Sequence, residues 1–313
     1  MPGKCLIVDQ LHENIHSLLT KIGLEYDYRP EITREEIKAS LPAYEGLIIR
    51  SKTTVDEDLL AAANLKYVAR AGAGVDNLDE DYLAAREIAI LNAPEGNRDA
   101  VGEHTIGLIL NLLHNLHQGN HEVKRQEWKR EANRGRELSK LTVGIIGLGN
   151  SGTAVAEKLQ GFGCRVLAYD KYVAQEKHPD LLVEMAQLFA ETDILTLHIP
   201  LTRETRELVS KEFIQKFAKP IYLINVSRGE IAPLQEIRRA VEEGKILKAA
   251  LDVMECENFS KMNDRQKDDF QWLANSGKVI FTPHVAGWSF ESYARINEVL
   301  VEKIGHFLDK EGK

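Results

Sequence analysis

Three stretches bring together residue types suited to taking a proton from an alcohol while an anion is held in place. They are Asn225-Val226-Ser227-Arg228-Gly229, Ala250-Leu251-Asp252-Val253-Met254-Glu255-Cys256-Glu257 and Thr282-Pro283-His284-Val285-Ala286-Gly287. A guanidinium offers a planar fork of N–H donors to a carboxylate and to a developing carbonyl oxygen. An imidazole titrates near neutrality and accepts a hydroxyl proton, while a carboxylate beside it fixes the ring and stabilises its protonated form. Arg228, His284 and either Glu255 or Glu257 are the candidate set, and His284 has a better context for the base than His198.

A second cluster handles phosphate. The run from Thr142 to Gly152 reads as a strand entering G-x-G-x-x-G, followed by a helix through Leu159. Gly147 makes the turn, Gly149 admits a pyrophosphate and Gly152 lets helix and strand pack closely, with Asn150 and Ser151 at the helix N-terminus. The next strand, Arg165 to Tyr169, ends in Asp170 about twenty residues on, where a carboxylate accepts both ribose hydroxyls of NAD and repels the extra phosphate of NADP. NAD is therefore the expected cofactor, with Lys171 softening the exclusion of NADP.

These residues need a scaffold that gathers strand ends. Short apolar, β-branched runs recur at Cys5–Asp9, Gly46–Ser51, Lys66–Ala71 and Ile88–Ala93, then at Thr142–Gly147, Arg165–Asp170, Ile194–Ile199, Ile221–Val226, Leu247–Val253 and Val279–Thr282. Helically spaced apolar residues lie between them, as in Ile15, Leu18, Leu19 and Ile22 or Leu234, Ile237, Ala240 and Val241. Strands apolar on both faces alternating with helices predict two doubly wound parallel α/β domains, one of them a Rossmann domain. In such sheets ligands sit at the carboxyl ends of the strands, where all three chemical stretches fall. The break is expected inside one long helical stretch, Asp99 to about Glu127. The last helix, Glu291 to Asp309, returns to the first domain, giving a substrate domain of 1–98 plus 285–313 and an NAD domain of 99–284. The polar segment Asn258 to Gln271 reads as an inserted loop or short helix.

The whole chain narrows the partners. Its 313 residues are 43% hydrophobic and 28% charged, ordinary for a globular protein of two domains. A net charge of -8 argues against nucleic acid, which needs a basic face. The longest apolar runs are too short to span a bilayer, and the N-terminus does not read as a secretory signal, so a cytosolic protein is expected. Cys5, Cys164 and Cys256 read as reduced thiols, two of them buried in strands. His114, His117 and His121 fall on one helical face, but no carboxylate or cysteine completes a metal site, and none is expected. Near the first domain's strand ends lie Arg50 and Ser51, and then Arg70-Ala71-Gly72-Ala73-Gly74, whose successive amides suit an anion.

Taken together, the motifs resemble the D-isomer-specific 2-hydroxyacid dehydrogenase family, over nearly the whole chain, and most closely its phosphoglycerate dehydrogenase branch. The resemblance implies a flavodoxin-like substrate domain beside the Rossmann domain and a site between them that closes by hinge motion at Asn97–Glu103. It makes Arg228 the substrate arginine, His284 the acid/base and Glu257 its partner, chosen over Glu255 by its offset from Asp252. Asp252 then lies near the nicotinamide, and Val226, His198 and Pro200 join the cofactor contacts. Arg50 and Arg70, with Ser51, Ala73 and Gly74, would hold a substrate phosphate. The charged segment Glu122–Leu138, with Trp128, would link two subunits of a homodimer, its plainer alternative being a solvated helix. With Lys313 the last residue, no C-terminal regulatory domain is expected. One departure is Asn258, where the family usually has proline after the glutamate. The implied reaction is D-3-phosphoglycerate oxidation. Alternatives are a glyoxylate or hydroxypyruvate reductase and, in another class, an NAD-sensing corepressor-like binding protein.

Overall fold

The structure, a computed structural model, describes residues 4–174, 178 and 180–311. The chain divides into two compact units, residues 1–98 with 288–313, and residues 99–287.

The first unit is a five-stranded, all-parallel sheet: β1 (Cys5–Ile7), β2 (Tyr26–Tyr28), β3 (Gly46–Ile49), β4 (Tyr67–Arg70) and β5 (Ala89–Asn92), in the order β2-β1-β3-β4-β5. Strand order reverses between β1 and β3, so the carboxyl ends there, Asp9 and Arg50, flank the position where open α/β sheets take ligands. The strands are apolar on both faces because helices cover both. Helix α1 (Asn14–Lys21) buries Ile15 and Leu19, and the long α12 (Phe290–Glu311) buries Ile296, Leu300, Val301 and Ile304 in the same core as Cys5, Ile7 and Tyr67. On the other face, α2 (Arg34–Ser40) starts with a capping box, Thr33 and Glu36 each satisfying the other's backbone N–H, and buries Ile37.

The second unit is a six-stranded parallel sheet of β6 (Thr142–Ile146), β7 (Arg165–Tyr169), β8 (Ile194–Leu197), β9 (Ile221–Asn225), β10 (Ile246–Leu251) and β11 (Val279–Phe281), ordered β11-β10-β9-β8-β6-β7. Beyond β7 a single parallel bridge, Ala168 to Leu182, adds a rudimentary further strand. Here the order reverses between β6 and β8, which end at Gly147 and His198. All four residues of β8 and all five of β9 are buried.

The ten expected strands are present; β2, half-buried and reading Tyr-Asp-Tyr, is an eleventh. The expected continuous helix over Asp99–Glu127 is two helices, α5 (Arg98–His114) and α6 (Leu116–Lys124), broken at Asn115, whose φ of 54° lies in the left-handed region. That break removes the shared helical face assigned to His114, His117 and His121, and among the described residues no group of three potential ligands could hold a metal. Residues 125–137 are not helical either, which excludes the solvated helix. The polar segment after Glu257 instead yields a full helix, α11 (Asp264–Asn275), started by a capping box between Asn263 and Gln266. Of the cysteines only Cys5 is buried, Cys164 and Cys256 being partly exposed, and all three are free. No described helix is long and apolar enough to cross a membrane.

Candidate active site

The carboxyl ends of β9, β10 and β11 carry the three chemical stretches, and the structure shapes each in turn. Asn225, fully buried at the end of β9, accepts from the Ser227 N–H at 3.1 Å and donates to the Arg228 carbonyl at 2.9 Å. Ser227 Oγ donates to the Leu197 carbonyl of β8 at 2.7 Å, and Arg228 donates to the Ser227 carbonyl at 2.7 Å. The next residue must be glycine, since a Cβ on Gly229 would fall 1.8 Å from the Met254 carbonyl carbon. The Arg228 loop and the segment leading to Glu257 are thus packed backbone to backbone.

His284 follows β11. Its backbone φ is 54°, an uncommon conformation for residues other than glycine and asparagine. Two bonds hold it there, from its N–H to the Asp252 carbonyl at 2.8 Å and to the Thr282 carbonyl at 3.0 Å. Strain of this kind costs on the order of 1–3 kcal/mol and persists only where the surroundings over-determine it. The imidazole Nδ1 lies 2.8 Å from Glu257 Oε1. A carboxylate on Nδ1 fixes the proton there and leaves Nε2 as the basic nitrogen. Both side chains remain nearly half exposed.

Glu255 has a different task. Its Oε2 accepts from the Leu234 N–H, the first residue of α10 (Leu234–Glu242), at 3.0 Å, and burial pushes its carboxyl above the usual carboxylate range. Glu257, not Glu255, is the carboxylate that meets the imidazole.

Asp252 is the buttress of the group. Its side chain is enclosed, and its carboxylate accepts from Thr282 Oγ1 at 2.5 Å, the Val285 N–H at 3.0 Å and the Ala286 N–H at 2.8 Å. Its own N–H donates to the Asn225 carbonyl at 2.9 Å. The carboxylate expected near the nicotinamide is thus engaged by the loop that carries His284. His104 of α5, which the sequence gave no reason to single out, adds its Nε2 at 3.2 Å from Thr282 Oγ1 and 3.6 Å from Asp252 Oδ1.

The glycine motif forms the tight turn that the sequence demands. Gly147 has φ 94°, and a Cβ there would lie 2.3 Å from the His198 carbonyl oxygen; one on Gly152 would lie 1.9 Å from the Gly147 carbonyl oxygen. Gly149, by contrast, has nothing within 4 Å of such an atom, so open space faces it at the start of α7 (Asn150–Leu159). That open space above a helix N-terminus fits a dinucleotide pyrophosphate. Asp170 ties the cradle together, Oδ2 accepting from the Leu148 N–H at 2.7 Å and Oδ1 from the Tyr172 and Val173 N–H groups at 2.8 and 3.1 Å. Lys171 is engaged by Glu204 at 2.6 Å. His198 lies under the motif: burial pushes its imidazole down to about 3, so it is neutral, with Nε2 2.9 Å from Thr196 Oγ1 and, among the described residues, no partner for Nδ1. Val226 is buried at the end of β9, and Pro200 is exposed, its carbonyl accepting from Thr205 Oγ1.

In the first unit, Arg50 and Arg70 are neighbours at the ends of β3 and β4. The Arg50 N–H donates to the Asp9 carboxylate, and its carbonyl accepts from Arg70 Nε at 3.2 Å and Asn77 Nδ2 at 3.3 Å. Arg70 runs across Gly72, where any Cβ would meet its guanidinium. The Ala73 carbonyl accepts from Asn92 at 2.7 Å; Ser51 is exposed and Gly74 half-buried.

Residues 106–286 match the family model described as D-isomer specific 2-hydroxyacid dehydrogenase, NAD binding domain. Over 305 residues the chain is 35% identical to the D-3-phosphoglycerate dehydrogenase of Archaeoglobus fulgidus, covering 96% of this chain and 56% of that one. It is 33% identical to the hydroxypyruvate reductase of Thermotoga maritima over 87% of this chain and 88% of the other. The chain spans about half the length of the first curated relatives it matches. Among solved structures, D-lactate dehydrogenase from Aquifex aeolicus, complexed with NAD and lactic acid, superposes with a TM-score of 0.82 at 27% identity, covering 98% of this chain and 96% of that one.

Proposed function

The chain belongs to the D-isomer specific 2-hydroxyacid dehydrogenase family, and from that premise we propose that it oxidises a D-2-hydroxy acid with NAD, D-3-phosphoglycerate being the substrate and 3-phosphohydroxypyruvate the product. The observation that carries the chemistry is the His284–Glu257 pair, 2.8 Å apart at the end of β11. His284 Nε2 accepts the proton of the C2 hydroxyl, and the Glu257 carboxylate stabilises the imidazolium that results. Arg228 grips the substrate carboxylate and the oxygen at C2, whose developing double bond its fork of donors polarises. Bound NAD supplies the acceptor for the hydrogen and electron pair that leave C2. Gly147, Gly149, Gly152, Asn150 and Ser151 cradle its pyrophosphate and Asp170 its adenosine ribose.

Asp170 sets the cofactor preference, because Lys171, the adjacent cation, is engaged by Glu204. Replacing Asp170 by serine removes a charge facing the NADP phosphate, so the NADP-to-NAD ratio of kcat/KM rises about tenfold, or ~1.4 kcal/mol. Equal efficiency with both cofactors in the wild type would refute the preference outright.

Arg50 and Arg70, with the amides of Ala73 and Gly74, support the choice of a phosphorylated substrate. Two clustered cations have no counterpart on a lactate or glyoxylate, so Arg50→Ala lowers kcat/KM for 3-phosphohydroxypyruvate by about 10–100-fold, the 1.5–3 kcal/mol of a charged hydrogen bond, with far less effect on hydroxypyruvate. NADH consumption with both acids checks this. A wild type that turns over both alike favours the second reading, hydroxypyruvate reduction, which the similarity to the Thermotoga maritima enzyme supports.

We place the protein in the cytosol as a homodimer. Leu116, Val123 and Trp128, 57%, 51% and 83% exposed, are the apolar surface for the subunit contact. Sedimentation of Trp128→Glu beside the wild type tests it, and a monomeric wild type would remove the dimer.

A further inference from the structure

Arg50 carries its charge in an unusual setting. Its guanidinium carbon lies 4.0 Å from the ring centroid of Trp288 and 5.2 Å from that of Tyr293. The two rings are themselves in contact, 4.7 Å apart and tilted by 53°. Tyr293 is fixed in turn by its hydroxyl, which donates to the Gln10 carbonyl at 3.2 Å, and by the edge-on His12 ring at 5.5 Å. Among the described residues no carboxylate lies within 4 Å of the Arg50 guanidinium, and the hydrogen bonds described for this residue are all made by its backbone. Burial also lowers its pKa from the ordinary arginine value, the mark of a cation partly stripped of water.

A guanidinium lying on an aromatic face uses its π surface for the contact and keeps its N–H donors, which point outward in the plane, for an anion. The backbone of Arg50 is held on both sides, by Asp9 at its N–H and by Arg70 and Asn77 at its carbonyl. The base and the head of the side chain are thus both placed, and the donors are left uncommitted. Ordering a long side chain when a ligand arrives weakens binding, so an arginine already held in place binds its anion more tightly than a free one.

We infer that Trp288, with Tyr293 behind it, is a positioning residue for substrate choice: an aromatic platform that presents Arg50 as a ready fork for the phosphoryl group of the substrate. The inference rests on the reading of Arg50 as a substrate-binding residue. It adds that the preference for a phosphorylated acid depends on an indole that itself makes no hydrogen bond to the phosphate. Trp288 is 46% exposed, so its replacement removes little core packing.

The test is steady-state kinetics of Trp288→Leu, Trp288→Phe and Arg50→Ala beside the wild type, with NADH and either 3-phosphohydroxypyruvate or hydroxypyruvate, thermal unfolding confirming that each variant is folded. Trp288→Leu lowers the phosphorylated-to-unphosphorylated ratio of kcat/KM about tenfold, the change appearing in KM for the phosphorylated acid and not in its kcat. Trp288→Phe, which retains a ring face, recovers most of that ratio. If Arg50→Ala abolishes the preference and Trp288→Leu does not, the platform is refuted while the substrate reading stands. An Arg50→Ala variant with wild-type preference sinks the substrate reading itself. A Trp288→Leu variant that loses both acids equally, through kcat, marks a merely structural role and overturns the inference.

Discussion

Replacing His284 by asparagine lowers kcat by about 10²–10⁴-fold, the range by which a positioned general base accelerates proton transfer. The reason lies in the geometry at β11: Nδ1 is taken by Glu257 at 2.8 Å, so Nε2 is the nitrogen able to accept a proton, and an amide in its place has no comparable basicity. Asparagine is the informative choice, because it tolerates the left-handed backbone that His284 adopts at φ 54° and so isolates the loss of the base from loss of the loop. The companion variant, Glu257→Gln, retains a hydrogen-bonding partner but removes the charge that stabilises imidazolium. Its kcat falls as well, because the imidazolium formed in the step has lost its counter-charge. Steady-state kcat decides both, and a His284→Asn enzyme within threefold of wild type would mean that another group takes the proton.

The second large effect concerns stability. Asp252→Ala leaves the Thr282 hydroxyl and the Val285 and Ala286 N–H groups without the enclosed carboxylate that they share. The buried Ala286 N–H so abandoned costs about 1–3 kcal/mol, the two part-buried donors less, and cavity formation adds to it, so destabilisation of about 2–4 kcal/mol follows. Activity falls further than stability alone explains, because the lost carboxylate held the N–H groups of the two residues that follow His284. Denaturant unfolding of wild type and variant measures the first effect, and kcat under conditions where both are folded measures the second. A change under 1 kcal/mol would show that the loop holds itself.

What the sequence disclosed, and what it did not, follows from the range of the interactions involved. Parallel strands such as Ile194–Leu197 and Ile221–Asn225 are buried on both faces, so they stand out as unbroken apolar runs. Strand β2 is an edge strand of alternating tyrosine and aspartate, half-buried throughout, and its composition resembles that of any polar loop. The glycine motif was legible because its turn, open face and close packing are local demands on the backbone. The break at Asn115 was not, since a left-handed residue inside an otherwise helical pattern leaves no periodic trace. Two glutamates two residues apart, Glu255 and Glu257, are separated only in space, by the N-terminus of α10 and the imidazole of His284. Asp252 reads as a ligand-facing carboxylate at a strand end, and its donors lie at Thr282, Val285 and Ala286, too distant in sequence for spacing to reveal. The meeting of Arg50 with Trp288 was hidden for the same reason.

The core shared by α1, β1 and α12 also constrains the order in which the molecule can be made. Ile296, Leu300, Val301 and Ile304 fill the same apolar cluster as Ile7, Ile15 and Leu19, yet all of residues 99–287 are synthesised between the two groups. On the ribosome the amino-terminal sheet therefore waits with one face covered only in part, by α1, while the continuous second unit emerges and can complete its own core. Bringing such distant segments together requires closing a very large loop, a slow, entropically opposed event. Final closure of the first unit is thus a late step of biogenesis, and during that interval the strands β4 and β5 and the flank of α1, which α12 covers in the finished fold, are the surface that chaperones must shield.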